Sequence, residues 1–220
     1  MTRALRCYFP IQRWEAMRRS PKCSLRAPVV ERELTVMFCD WRGFSTFAER
    51  ETPLRLHERL KHVMSAITQT IESHGGTVDK YMGDCVMAFW GAPYVNLAHA
   101  RDAVVAANAI VELIESQKLL DKFPDLLGLD ITIGIHTGMV VVGDMGSTQR
   151  QSYTVVGDVV NVASRLQNQC ANQGVRVLAS ACTAHRNPWT AWTLLGTVHL
   201  NGRQQAVDIY TPILKNQPEH

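Results

Sequence analysis

Strand-like runs and helical repeats alternate over residues 34–142 in the order strand, helix, strand, strand, helix, strand, and few folds accept that order. The run Leu34-Thr35-Val36-Met37-Phe38-Cys39 has the length of a buried strand. After Pro53, residues Leu56, Leu60, Val63, Met64, Ile67 and Ile71 recur at spacings of three and four, forming one apolar face of a helix that Gly75-Gly76 ends. Residues 77–81 and 85–90 read as two strands joined by a turn at Met82-Gly83-Asp84. Gly91-Ala92-Pro93 interrupts the pattern, and a second helix is expected over 97–120 with Ala103, Val104, Ala107, Ile110, Val111 and Ile114 inward. Strands are expected at 129–135 and 139–142, with a turn at Thr137-Gly138. A strand at 153–156, a helix over 158–168 and short strands at 175–179, 193–200 and 206–211 complete the chain.

This order is the βαββαβ arrangement of a ferredoxin-like α+β fold, here with additional C-terminal strands. In such a sheet the first strand is central and lies beside the hairpin of the next two. Asp40 follows the first apolar run and Asp84 precedes Cys85-Val86-Met87-Ala88-Phe89-Trp90, so the topology brings together two aspartates 44 positions apart. An ionised carboxylate at the edge of a buried strand needs a partner, and two together repel unless a cation sits between them. Hard divalent ions are held by one or two carboxylates plus substrate phosphates. The pair therefore points to a metal site that handles a nucleoside triphosphate.

Composition limits the alternatives. A chain of 220 residues with 46% hydrophobic and 20% charged residues can bury one core. It has no apolar run long enough to span a bilayer and no signal-peptide pattern. Six cysteines (7, 23, 39, 85, 170 and 182) lack metal-site spacing; Cys39 and Cys85 lie in apolar strand runs and are expected to be buried thiols, in a reducing compartment and with no disulfide framework. Residues 1–32 hold eight Lys/Arg against two Glu, a net +6, whereas the rest carries 15 basic against 18 acidic residues, a net −3. The division expected is a basic flank or linker (1–32), a catalytic domain (33–212) and a tail (213–220). A basic flank suits a solvated linker, an anionic surface or nucleic acid.

Two segments carry further chemistry. In Trp41-Arg42-Gly43-Phe44-Ser45 a strand hands over to a helix, whose first N–H groups are free to meet phosphate, and Gly43 lets the backbone approach it. In the run from Tyr153 to Arg165 a strand ends at Gly157 and a helix begins near Asp158. Asn161 and Arg165 are four apart and share a face, where an amide and a guanidinium can orient a ribose and neutralise a phosphoryl group. Their neighbours are mostly apolar, so this helix is expected to be largely buried.

With these segments in place, the chain resembles the catalytic domain of class III nucleotidyl cyclases, specifically bacterial adenylate cyclases, over about 33–212. The resemblance is carried by Phe38 to Ser45, by Asp79-Lys80-Tyr81-Met82-Gly83-Asp84, by Gly134-Ile135-His136-Thr137-Gly138 and by 153–165. It implies that Asp40, Asp84 and the Trp41 carbonyl hold two Mg²⁺ or Mn²⁺ ions per site. It also implies that Gly43, Phe44 and Arg203 meet the nucleotide, Arg203 standing where the family usually has lysine. Lys80 and Thr154 match the residues that read the base, and Asn161 and Arg165 those that orient the ribose and stabilise the transition state. Lysine only donates, so it suits adenine N1 and not the N–H of guanine, and ATP is the expected substrate. The threonine type resembles a subgroup responsive to bicarbonate. His136 is expected to be structural.

The implied reaction is in-line attack of the ribose 3′-oxygen on the α-phosphorus. In the family the metal aspartates come from one subunit and Lys80, Thr154, Asn161 and Arg165 from the other, so a homodimer with two sites is expected. The resemblance also implies a cytoplasmic domain without a nucleic-acid partner, or one tethered to the inner membrane by an upstream membrane-anchored sensor module in a longer parent. Three competing readings are a catalytically silent regulatory cyclase, a nucleic-acid module with a basic arm, and a cyclic dinucleotide synthase. The last needs a Gly-Gly-acidic-acidic hairpin, which Met82-Gly83-Asp84 does not match.

Overall fold

The computed structural model describes residues 27–116, 130–147, 149–200 and 206–213. Arg203, most of the basic flank, positions 117–120 of the expected second helix and nearly all of the tail lie outside them. The described elements are β1 (Val30–Arg42), α1 (Phe44–Arg50), α2 (Pro53–Ser73), β2 (Thr77–Met82), β3 (Cys85–Trp90), α3 (His99–Glu115) and β4 (Asp130–Gly146). They continue with β5 (Gln151–Val156), α4 (Asp158–Gln169), β6 (Val177–Ser180), α5 (Ala181–Arg186), β7 (Trp192–Val198) and β8 (Val207–Pro212). The strands form one sheet in the order β2-β3-β1-β4-β6-β8-β7, with β5 paired to β4 off this path. The first four positions are the ferredoxin-like order, and β6 to β8 extend the sheet past β4.

Strand alternation explains the two cores. Met37, Cys39 and Trp41 face α2 and α3, which bury Ile67, Ile71, Val104 and Ile110 against them. Val36 and Phe38 face the opposite way, towards Val140, Val155 and Val159. The distal half of β4 and β5 folds back over this second face, far enough for Thr154 to reach Asp79 on β2. Helices therefore cover one face, as expected, and α4 with the β4–β5 hairpin covers the other.

Several boundaries differ from expectation. β4 is one strand of 17 residues and does not turn at Thr137-Gly138. Thr137 is fully paired opposite Thr35, with the two hydroxyls 2.8 Å apart. Gly138 is small because α4 crosses it: a Cβ there would lie 2.8 Å from Val159 Cγ2. β1 runs on to Arg42, so Asp40 lies within the strand, opposite Cys85 on one side and Thr132 on the other. The second helix ends at Glu115, where Ser116 turns extended. α5 was not expected; the Ser180 side chain caps it by accepting from the Thr183 N–H. α4 is buried only along Val159, Val162, Ala163, Leu166 and Gln167, and Asn161 is exposed.

A chain of buried hydroxyls ties these layers together. His99 Nδ1, Thr35, Thr137, Thr183, Ser180 and His136 Nδ1 follow one another at 2.8, 2.8, 3.0, 3.4 and 2.6 Å. His136 is thus a buried structural residue, as its motif position led us to expect.

The tightest contact is at Gly134. A Cβ built there would stand 2.2 Å from the Gln167 N and 2.3 Å from the Ala163 carbonyl oxygen, both backbone atoms of α4 that cannot swing aside. Gly134→Ala is expected to lift α4 from the sheet and to cost about 1–3 kcal/mol or more, the usual range for overpacking. Urea denaturation measures this, and an unchanged midpoint would contradict the close approach.

Candidate active site

Asp40 and Asp84 meet at one end of the sheet. β1 carries Asp40 to a position across from Cys85, and the turn before Cys85 delivers Asp84. Gly83 adopts φ 67° in that turn, a conformation glycine takes without strain. The two carboxylates open on a cleft of about 290 Å³, bordered also by Trp41, Gly43, Thr132 and Gln167. Gly43, at φ 79°, makes the tight exit from β1 into α1. Phe44 borders the cleft while its ring packs 5.4 Å from that of Trp41. The Trp41 ring is buried, so what it can offer the cleft is its backbone.

Burial raises the pKa of Asp40 above the usual carboxylate range, and the neighbouring Asp84 charge raises it further. Hydrogen bonds from Cys85 and Gln167 oppose the shift. Asp84 is likewise raised by burial. The Cys85 thiol is pushed up to about 12 by burial and by the charges of both aspartates. Two half-buried carboxylates that resist ionisation together are a place for a cation. Among the described residues no group of three or more His, Cys, Asp or Glu could cage a metal. Two carboxylates and a backbone carbonyl fit a hard divalent ion that completes its shell with phosphate oxygens, and they do not fit a closed zinc site.

A second cluster sits at β2 and β5. The Thr154 hydroxyl donates to Asp79 Oδ2 at 2.6 Å, and Lys80 Nζ lies 3.4 Å from the Thr154 oxygen and 3.7 Å from Asp79 Oδ1. The Asp79 side chain is 1% exposed and that of Lys80 is 48% exposed. Burial raises the Asp79 pKa, against the hydrogen bond from Thr154 and the charge of Lys80. The third group is α4, which presents exposed Asn161 and half-buried Arg165, whose side chains make no hydrogen bond or ion pair to other described residues.

The structure thus brings Asp40 and Asp84 together, and separately joins Lys80 with Thr154. Lys80, Thr154, Asn161 and Arg165 do not border the cleft of Asp40 and Asp84. Two polar residues of these clusters had no role in the sequence. Asp79 lay within a quoted motif. Gln167 had a visible signal, since it continues the apolar stripe Val159, Ala163 at steps of four as an amide.

Comparison with known proteins gives the family and the fold. The sequence profile of the adenylate and guanylate cyclase catalytic domain matches residues 29–213. "Adenylate cyclase 1" of Rhizobium meliloti (strain 1021) is 36% identical over 179 residues, which are 81% of this chain and 27% of that protein. The chain therefore spans about a quarter of that relative's length. The crystal structure of the adenylyl cyclase CyaB from P. aeruginosa superposes with a TM-score of 0.76 at 30% identity, covering 84% of this chain and 96% of that one. The guanylyl cyclase Cya2 superposes at 0.72 with 28% identity, covering 84% and 93%. The fold alone thus leaves the base open.

Burial lifts the pKa of both Asp40 and Asp84, which ties stability to pH. A carboxyl held above its unfolded value contributes stability that is fully present below the unfolded value and is lost as pH rises through the folded one. At neutral pH in chelator, Asp40→Asn is therefore expected to raise the melting temperature, and the gain should vanish as pH falls below the ordinary carboxylate range. Thermal melts of both proteins across that range measure it; a neutral-pH loss would contradict the unrelieved charge pair.

Proposed function

This chain belongs to the adenylate and guanylate cyclase catalytic domain family, and we propose that it converts ATP to 3′,5′-cyclic AMP and pyrophosphate at two sites shared across a homodimer. The observation that carries the choice of base is the bond from Thr154 to Asp79. The hydroxyl has one hydrogen and spends it on a carboxylate, so its oxygen can only accept from a further group. Beside it, Lys80 can only donate. A donor next to an acceptor matches ring N1 and the 6-amino group of adenine. Guanine offers an N–H and a carbonyl in the same places, which this pair cannot satisfy.

In the reaction, the ribose 3′-oxygen attacks the α-phosphorus in line, a new P–O bond closes the ring, and the bond to pyrophosphate breaks. Asn161 holds the ribose so that attack is aligned, and Arg165 offsets charge growing on the α-phosphate. Asp40, Asp84 and the Trp41 carbonyl would hold two divalent ions, Mg²⁺ or Mn²⁺, which when bound acidify the 3′-hydroxyl and neutralise phosphate charge. Gly43 and Phe44 border the phosphates, with Arg203 on the triphosphate. The 3′-proton leaves to solvent without a side-chain base.

The homodimer is supported by the separation of the two residue sets, since the metal cleft of one protomer lacks the base-reading and ribose-binding residues. Met139, Val141 and Val156 also leave an exposed apolar row on the hairpin that carries Thr154, 53, 37 and 56% exposed. In this reading the domain works in the cytoplasm and its basic flank leads from an upstream membrane-anchored sensor module.

Purified protein incubated with ATP or GTP and Mn²⁺ or Mg²⁺ is expected to give cyclic AMP, with specific activity rising with protein concentration. No cyclic nucleotide from a folded dimer would point instead to a silent nucleotide-binding domain. Arg165→Ala should lower kcat about 10²–10³-fold, as loss of a transition-state donor does. Mixing inactive Asp84→Ala with inactive Asn161→Ala should restore about a quarter of wild-type sites, because half the dimers form one intact site each. Persistent inactivity despite verified subunit exchange rules out the shared site. Asp79→Ala removes the acceptor of the Thr154 hydrogen and should reduce the kcat/KM preference for ATP over GTP about tenfold, the worth of one hydrogen bond.

A further inference from the structure

We propose that Gln167 is a positioning residue for Asp40, so that α4 serves both sites of the dimer at once; this rests on the shared-site reading above. Asp40 and Thr132 stand directly opposite each other on β1 and β4. The Gln167 amide bridges them: Nε2 donates to Thr132 Oγ1 at 2.7 Å and to Asp40 Oδ2 at 3.3 Å. Gln167 is only 7% exposed, so this amide has little water to turn to. A carboxylate accepts only, which fixes the amide with its NH₂ towards Asp40. One nitrogen with two hydrogens thus locks the plane of the carboxylate to the sheet.

The bridge exists because Gly134 has no side chain. The backbone of Gln167 lies where a Cβ of residue 134 would be, which sets the amide down between the two strands. Gln167 is two residues beyond Arg165, roughly 200° around the helix at 100° per residue. Asn161 and Arg165 thus look outward while Gln167 looks inward at its own protomer's Asp40. In the shared-site dimer the outward pair works in one site and the inward amide prepares the other.

Gln167→Met keeps the length of the side chain and removes both hydrogens. Mn²⁺ binding, followed by electron paramagnetic resonance with 3′-deoxy-ATP present, should weaken about 10–100-fold, the usual cost of losing a group that orients a metal ligand. Mixed with Asn161→Ala, Gln167→Met should regain about a quarter of wild-type sites, since one site then has an intact metal half and an intact α4 surface. Mixed with Asp84→Ala, it should regain nothing above its own activity. Wild-type Mn²⁺ binding by Gln167→Met would overturn the proposal. So would failure to rescue Asn161→Ala while Asp84→Ala rescues it, because Gln167 would then only hold α4 in place. If Asp84→Ala and Asn161→Ala themselves fail to complement, the shared-site reading falls and the Mn²⁺ measurement alone decides on Gln167. Thr132→Val, which removes the other end of the bridge, should weaken Mn²⁺ binding in the same direction and supplies the comparison if Gln167→Met does not fold.

Discussion

The contact of α4 with β4 over Gly134 sets the geometry on which both halves of the site depend. Helix and sheet meet there backbone to backbone, closer than any side chain would permit. Gly138 allows the same helix to cross further along the strand. Because interiors are close-packed, a helix seated this closely has little freedom to slide. The positions of Asn161, Arg165 and Gln167 relative to β1 follow from that seat, and so does the second core of Val159 and Ala163 against Val36 and Phe38.

Electrostatics works against folding at the site and in favour of a ligand. Asp40 and Asp84 are desolvated and face each other, whereas Asp79 is desolvated but has Thr154 and Lys80 to answer it. Among the described residues the first pair lacks a positive partner and the second group has one. That contrast separates a place built to take up cations from one built to present a fixed pattern of donors and acceptors to a base.

Much of this was legible in the sequence, for reasons that can be named. The helical stripe from Leu56 to Ile71 and the continuous run 34–39 are strong periodic signals, and the order of elements implied that Asp40 and Asp84 would meet. Thr137-Gly138 misled because a glycine next to a polar residue reads as a turn. Its cause was a helix arriving from residue 158 onward, and local pattern cannot show a distant element. The extension of β1 to Val30 and Arg42 was hidden because Glu31, Arg32, Glu33 and Arg42 are polar, yet their backbone pairs with β4 all the same. Asp79 and Gln167 acquired meaning only once their partners on β5 and β1 were in view. Arg203 and most of the basic flank lie outside the described residues.

The buried hydroxyl chain has a consequence of its own. Five links join His99 Nδ1 through Thr35, Thr137, Thr183 and Ser180 to His136 Nδ1, and each link needs one hydrogen. Four hydroxyls supply four, so with both imidazoles neutral and the Thr183 hydrogen kept in the chain and not given to the Ile135 carbonyl 3.5 Å away, one imidazole, and only one, must supply the fifth. In that neutral, fully linked state the two histidines hold opposite tautomers. Reversing one turns every hydroxyl between them and reverses the other, as in a one-dimensional row of ice.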